Sequence, residues 1–262
     1  MNDLLDISAT GLTLGYLLLI VPLAILLLRG VPLLRETGIA VLRMTVQLLF
    51  VGLYLQVVFR LNHPGINLLW LLVMVLVADA SVLKGCGFRM RSFGLPLFFA
   101  ILAGTAVPAL VFTGLVLRLG NPLEAQYIIP VGGMILGNCL RADIIGLNQF
   151  YSSLQKQEKV YLLALSRGAT RTEALRPFFR DALRASLAPT VATMATIGLV
   201  SLPGMMTGVI LAGADPATAI RYQIAIMIAI FSGTALTVFL ALEWTCRISF
   251  NPYGIPNKEV FH

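Results

Sequence analysis

The sequence predicts an all-α fold, a polytopic bundle of about seven transmembrane helices, and three observations carry that prediction. Hydrophobic residues make up 58% of the chain and charged residues only 12%, a balance no ordinary water-soluble domain shows. The apolar residues come in runs of roughly 18–25, the length at which a helix rising about 1.5 Å per residue crosses the hydrocarbon core. These runs lack the strict alternation of an outer-membrane barrel. Lipid offers backbone groups no water, so each run satisfies its own hydrogen bonds as a helix.

Taken in order, the expected spans lie near Gly11–Leu28, Gly38–Phe59, Ile66–Leu83, Phe93–Leu117, Gln126–Leu147, Leu187–Leu211 and Ala219–Leu242. An odd number puts the termini on opposite sides, and the basic residues say which. One side collects Arg29, Arg35, Lys84, Arg89, Arg91, seven cations from Lys156 to Arg184, and then Arg247 and Lys258; the other holds Arg60, Arg118 and Arg221. The positive-inside bias therefore predicts an outside N-terminus and a cytoplasmic C-terminus in the cell inner membrane. Met1–Thr10 carries Asp3 and Asp6 and no basic start, so the first run is expected to be kept as a helix rather than removed as a signal.

Residues 1–262 read as a single transmembrane domain, with no internal repeat and only short outer connections rich in Gly, Pro and Asn. The net charge of +7 would point to nucleic acid in a soluble protein, but here it marks cytoplasmic loops and anionic lipid, so no nucleic-acid partner is expected. Cys86, Cys139 and Cys246 are odd in number and widely spaced with no CxxC, so neither a disulfide framework nor a zinc site is indicated and they read as packing residues.

The sizeable polar stretch is a cytoplasmic segment at about 149–186. Its pattern predicts one short helix near Tyr151–Ser166 stopping at Gly168. A second opens at Thr170, where Glu173 three residues on completes a capping box. Pro177 is expected to end that helix or restart the next, because a proline inside a helix removes a hydrogen bond. A solvated amphipathic loop lying on anionic headgroups and a docking element for a soluble partner both fit this pattern.

Glu158–Pro177, reading EKVYLLALSRGATRTEALRP, resembles the coupling loop of bacterial ABC permeases, and Glu158, Ala164, Gly168, Ala169 and Thr170 match its motif. The resemblance widens to PVGGMILGN at Pro130–Asn138, IGLVSLPGMMTG at Ile197–Gly208 and AGADPATAIRYQI at Ala212–Ile224, with Arg43, Gln47 and Leu48 agreeing upstream. Over this region the chain is similar to the FetB family of permeases, departing at Arg167, where the family carries an apolar residue. The resemblance implies the permease subunit of an ATP-driven exporter, a homodimer paired with a separate cytoplasmic ABC ATPase that holds ATP and Mg. It also implies iron export and resistance to oxidative stress.

Within the spans, Pro203 and Gly204 are expected to kink and closely pack the sixth helix, with Met205, Met206 and Thr207 as candidates for gating or for lining a path. Intramembrane polar residues are costly and normally face the bundle interior; Gln47 and Asn138 are the candidates for touching substrate, while those near cytoplasmic ends are explained by snorkelling or by an ion pair such as Arg141 with Asp143 or with a neighbouring helix. Metal-ligating candidates are weak: Met205 and Met206 are soft thioethers, and Asp79 is a lone carboxylate. No enzyme chemistry is expected, since His63 and His262 lie away from any membrane serine and GxxxxGK[ST] is absent, so no cofactor is expected on this chain. Two alternatives stay open: a gradient-driven secondary transporter or channel using Asp79 or Asp143, and ATP-driven export of a small organic solute.

Overall fold

The computed structural model describes residues 8–251 and 254–255. Asp3, Asp6, Lys258 and His262 lie outside the described residues. The chain is helical nearly throughout: α1 (Ala9–Leu17), α2 (Ile20–Leu28), α3 (Leu34–Leu61), α4 (Pro64–Cys86), α5 (Met90–Val111), α6 (Ala125–Lys156), α7 (Glu158–Ser166), α8 (Arg171–Thr196), α9 (Gly204–Leu211) and α10 (Pro216–Ser249). The predicted polytopic α-helical bundle is what the chain forms. Six stretches of the described residues are long and apolar enough to cross a membrane: Thr10–Leu28, covering α1 and α2, then α3, α4, Met90–Val116, α6 and α10.

The sixth expected span, Leu187–Leu211, is not one continuous helix. The second half of α8 enters it and stops at Thr196, residues 197–203 are non-helical, and α9 resumes at Gly204. Gly198 takes φ +86°, a left-handed conformation that suits a residue without a Cβ, and its amide donates to the Ser201 carbonyl at 2.9 Å in a tight turn. Pro203 has no amide to rejoin the ladder, so the helix restarts only after it. The expected kink is therefore a full break. Pro177, by contrast, neither ends nor restarts a helix, because α8 runs straight through it. The amide it lacks would have bonded the Glu173 carbonyl, which lies on an exposed turn.

Helices α4, α5, α6 and α10 pack together, with the first half of α8 against α6 and α10. The seam is closest where Gly104 of α5 meets Gly233 of α10: a Cβ built on Gly233 would lie 2.6 Å from the Gly104 carbonyl oxygen. Small residues permit this approach, as they commonly do between helices in lipid. Helix α5 carries Pro96 and Pro108 and ends in a π-helical turn at Phe112–Val116, where the Leu117 amide reaches back to the Phe112 carbonyl at 2.9 Å. Helices α1 and α2 touch little of this core. Helix α3 leans on it only at its far end, where Val58 is buried and Tyr54 stacks on Trp70 with ring centroids 4.1 Å apart.

Side chains tie the connections at that same end. His63 caps α4 by accepting from the Gly65 amide at 3.2 Å, Asn67 donates to the Leu123 carbonyl at 2.8 Å, and Asn62 accepts from the Ala125 amide at 2.9 Å. Inside the bundle, Asp143 is fully buried, and its Oδ2 accepts from the Thr237 hydroxyl of α10 at 2.9 Å. The expected Arg141–Asp143 ion pair does not form. Residues two apart on a helix point to nearly opposite faces, so Asp143 turns into the core while Arg141 turns away from it.

Candidate functional site

The polar segment between α6 and α8 folds as a rigid elbow. The fifth span does not stop near Leu147; α6, 32 residues long, continues to Lys156, because Phe150, Tyr151 and Leu154 extend its buried face beyond the apolar run. The chain turns at Gln157, and α7 begins with Glu158. Gly168 takes φ +92° in the link to α8, the conformation expected for a residue that stops a helix.

The predicted capping box is complete. The Thr170 amide and hydroxyl donate to Glu173 Oε2 at 2.8 and 2.7 Å, and the Glu173 amide donates to Thr170 Oγ1 at 3.3 Å. Together these bonds hold the Glu173 carboxyl below its ordinary value, the hydroxyl bond contributing most. A carboxyl depressed in the folded state adds stability that is fully present above its unfolded value and lost as pH falls through the folded one. Thr170→Ala is expected to cost about 1 kcal/mol of local stability. Amide exchange over residues 171–176 should show this cap loosening in the variant at neutral pH, and in the parent only at pH below the normal Glu range near 4.5.

Glu158, Ala164, Gly168, Ala169, Thr170 and Glu173 are thus gathered in one compact element. On its inner side, Tyr161 is buried, donates to the Gly254 carbonyl at 2.6 Å and packs on Phe250. Burial pushes its phenol above the ordinary value, which keeps it a neutral donor. Nearly two helical turns before the elbow, Tyr151 shares a hydrogen bond of 2.7 Å with Ser249. The approach to the elbow on α6 and the first turn of α7 are therefore fastened to the end of α10 and the residues just after it. Its outer side exposes Val160, Leu162 and Leu163 among Lys159, Ser166 and Arg167.

The intramembrane candidates divide between two cavities on opposite sides of α6. Asn138, Pro203, Gly204 and Met205 line one of about 400 Å³, enclosed by α6, α8, the break, α9 and α10. Gln47 lines another, of about 1020 Å³, between α3 and the α4–α6 pair, together with Glu36, Arg43 and Lys84. Met206 and Thr207 do not line the smaller cavity; the Thr207 hydroxyl is spent on the Pro203 carbonyl at 3.1 Å. Asp79 is buried against Gly94 of α5 and joins neither cavity. Among the described residues no three His, Cys, Asp or Glu side chains come together as a metal site.

Several residues of the smaller cavity were not singled out in the sequence. Ser186, Thr190, Thr193 and Ile197 follow helical spacing and place one stripe of α8 on it, and Gln223 of α10 faces it from the other side. The stripe of hydroxyls at i, i+4 and i+7 was the available signal. Gln223, one amide in an apolar run, gave less.

Comparison with known proteins agrees with this architecture. The chain is 37% identical over 204 residues to the UPF0014 membrane protein YjkA of Bacillus subtilis, covering 78% of this chain and 80% of that protein. It is 34% identical over 248 residues, 93% of each chain, to the probable iron export permease protein FetB of Escherichia coli. It is also 34% identical over 214 residues to the protein ALUMINUM SENSITIVE 3 of Arabidopsis thaliana, covering 80% of this chain and 76% of that one. No solved structure matches it significantly. The model of the family described as uncharacterised protein family UPF0014 matches residues 9–250, and this multi-pass membrane protein belongs to that family.

Proposed function

We propose that the chain is the permease subunit of an ATP-driven exporter and works with a separate cytoplasmic ATPase. The observation that carries this reading is the α7 elbow: a short helix, stopped by Gly168 and followed by a capped helix start, stands between two long helices of the bundle. Such an element moves as one piece and can pass a partner's displacement to α6 and α8 directly, and to α10 through Tyr161 and Tyr151. Its exposed apolar knob of Val160, Leu162 and Leu163, rimmed by cations, suits a groove on a soluble protein. The bias of basic residues supports a cytoplasmic position for this elbow.

On this reading the chain acts as a homodimer in the inner membrane and leaves ATP and Mg to the partner. Export of iron, free or chelated, is supported by the likeness to FetB. The direct test is co-purification with a soluble ATPase encoded in the same cell. Substituting Val160, Leu163 and Ala169 together by aspartate should abolish the complex while the permease still elutes as a folded species. A complex that forms equally well with this elbow altered sinks the assignment.

A gradient-driven carrier is the second reading, favoured by the buried Asp79 and Asp143, each with one carboxyl oxygen lacking a partner. Its mark would be substrate flux by the reconstituted chain alone, without ATP. Neither carboxylate lines the smaller cavity, which weighs against a relay there.

A further inference from the structure

We propose that the cavity between α6, α8, α9 and α10 binds a small anionic, oxygen-rich ligand, a negatively charged metal chelate or its free chelator, and not a bare metal cation. That this ligand is cargo rests on the permease reading above; that it binds does not.

The lining decides the charge. Among its side chains Arg141 is the one that carries a formal charge, and Asp, Glu, His and Cys are missing from the lining. Arg141 makes no ion pair or hydrogen bond within the described residues, since Asp143 faces Thr237 on the other side of α6. Arg141 is exposed at the edge of the cavity it lines, and the planar fork of its guanidinium fits carboxylate or phosphate oxygens two at a time.

The remaining polar groups fit the same ligand. Gln223 is only 8% exposed, lines the cavity, and its amide makes no hydrogen bond to the described residues, so its donor and acceptor are left for a partner in the cavity. The hydroxyls of Thr190 and Ser201 are likewise uncommitted, and Asn138 spends its amide nitrogen on the Met134 carbonyl at 2.8 Å while its oxygen stays free. The N-terminus of α9 opens on this space through Pro203, Gly204 and Met205, adding the positive end of a helix dipole. A volume of about 400 Å³ holds a small multidentate anion.

A bare cation fits poorly. Hard ions such as Fe³⁺ or Mg²⁺ take carboxylate oxygens, and none is supplied. Met134, Met205 and Met227 offer three thioethers suited to a soft ion, but these are neutral donors sharing the cavity with an uncompensated positive charge.

The test is equilibrium binding to the purified full chain in detergent, with ferric citrate, citrate alone, ferrous ion and silver(I) as probes. The expected result is saturable binding of ferric citrate, of citrate, or of both, weakened at least tenfold by Arg141→Gln, less by Arg141→Lys, and several-fold by Gln223→Leu. Comparison of the two citrate arms shows whether the chelate or the free anion is preferred. Each variant is checked for an unchanged melting curve, and Gln223→Leu, an uncharged change on another helix, stands in if an Arg141 variant fails to fold. Binding of ferrous or silver ion as tight as that of the anions, anion binding indifferent to both substitutions, or no saturable binding of either anion overturns the proposal. Loss of the ATPase complex would strike the permease reading instead and leave this measurement untouched.

Discussion

Gly233→Ala lowers the stability of the folded bundle by about 1–3 kcal/mol, the usual cost of forcing extra volume into a packed interior. The new methyl would sit 2.6 Å from the Gly104 carbonyl oxygen and 2.8 Å from Ile135 Cγ2, so it meets backbone on α5 and side chain on α6 at once. The isoleucine can turn; the carbonyl belongs to a hydrogen-bonded helix and moves only if α5 and α10 separate along their common seam. A methyl on Gly104 meets the same seam from the other side, 3.0 Å from the Gly233 carbonyl oxygen. Thermal melting in detergent should show both losses. Gly137→Ala is the control: nothing lies within 4 Å of the added carbon, and gain of helix propensity should leave it neutral or slightly stabilised. Equal melting of Gly233→Ala and Gly137→Ala would mean that α5 and α10 are not held at that distance.

Thr237→Val is the second substitution with a large expected effect. Thr237 is the sole donor to Asp143 among the described residues, and the carboxyl's other oxygen is already buried without a partner. Removing the hydroxyl strands the whole group in the core, at a cost of about 1–3 kcal/mol. The double change Asp143→Leu with Thr237→Val removes both halves of the interaction and should recover most of that loss, because a buried polar pair replaced by apolar side chains is often neutral or better. The pair of melting curves separates two accounts. A double variant weaker than Thr237→Val alone would show that Asp143 makes a stabilising contact beyond Thr237.

The helices of the bundle were legible in the sequence because length and hydropathy govern them directly. Their ends were less so. Helix α6 outruns its apolar stretch since Phe150, Tyr151 and Leu154 keep one face buried while Gln149, Ser152 and Gln155 keep the average polar. The far side of the elbow was legible too, because Gly168, Thr170 and Glu173 act locally; its start was not, for the helix expected over Tyr151–Ser166 is divided at Gln157 between α6 and α7. The break at residues 197–203 was visible only as Pro203; the part played by Gly198 depends on its backbone angle, which composition does not show. The smaller cavity was least legible. Asn138, Arg141, Thr190 and Gln223 come from three helices, and which of their faces meet follows from packing rather than from any one segment. For Arg141 the sequence left snorkelling and an ion pair with Asp143 or a neighbouring helix open, and a spacing of two residues on a helix already weighs against the Asp143 pair.

The fastening of α7 also sets an order of events in synthesis. Tyr161 leaves the ribosome well before its partner Gly254, 93 residues later, and Tyr151 precedes Ser249 by 98. Until α10 has been made and inserted, the inner side of α7 has neither the Gly254 carbonyl nor the Phe250 ring to rest on. A chain cut short before its final helix therefore presents a loose α7, and a partner that recognises the fastened form would assemble only with finished protein.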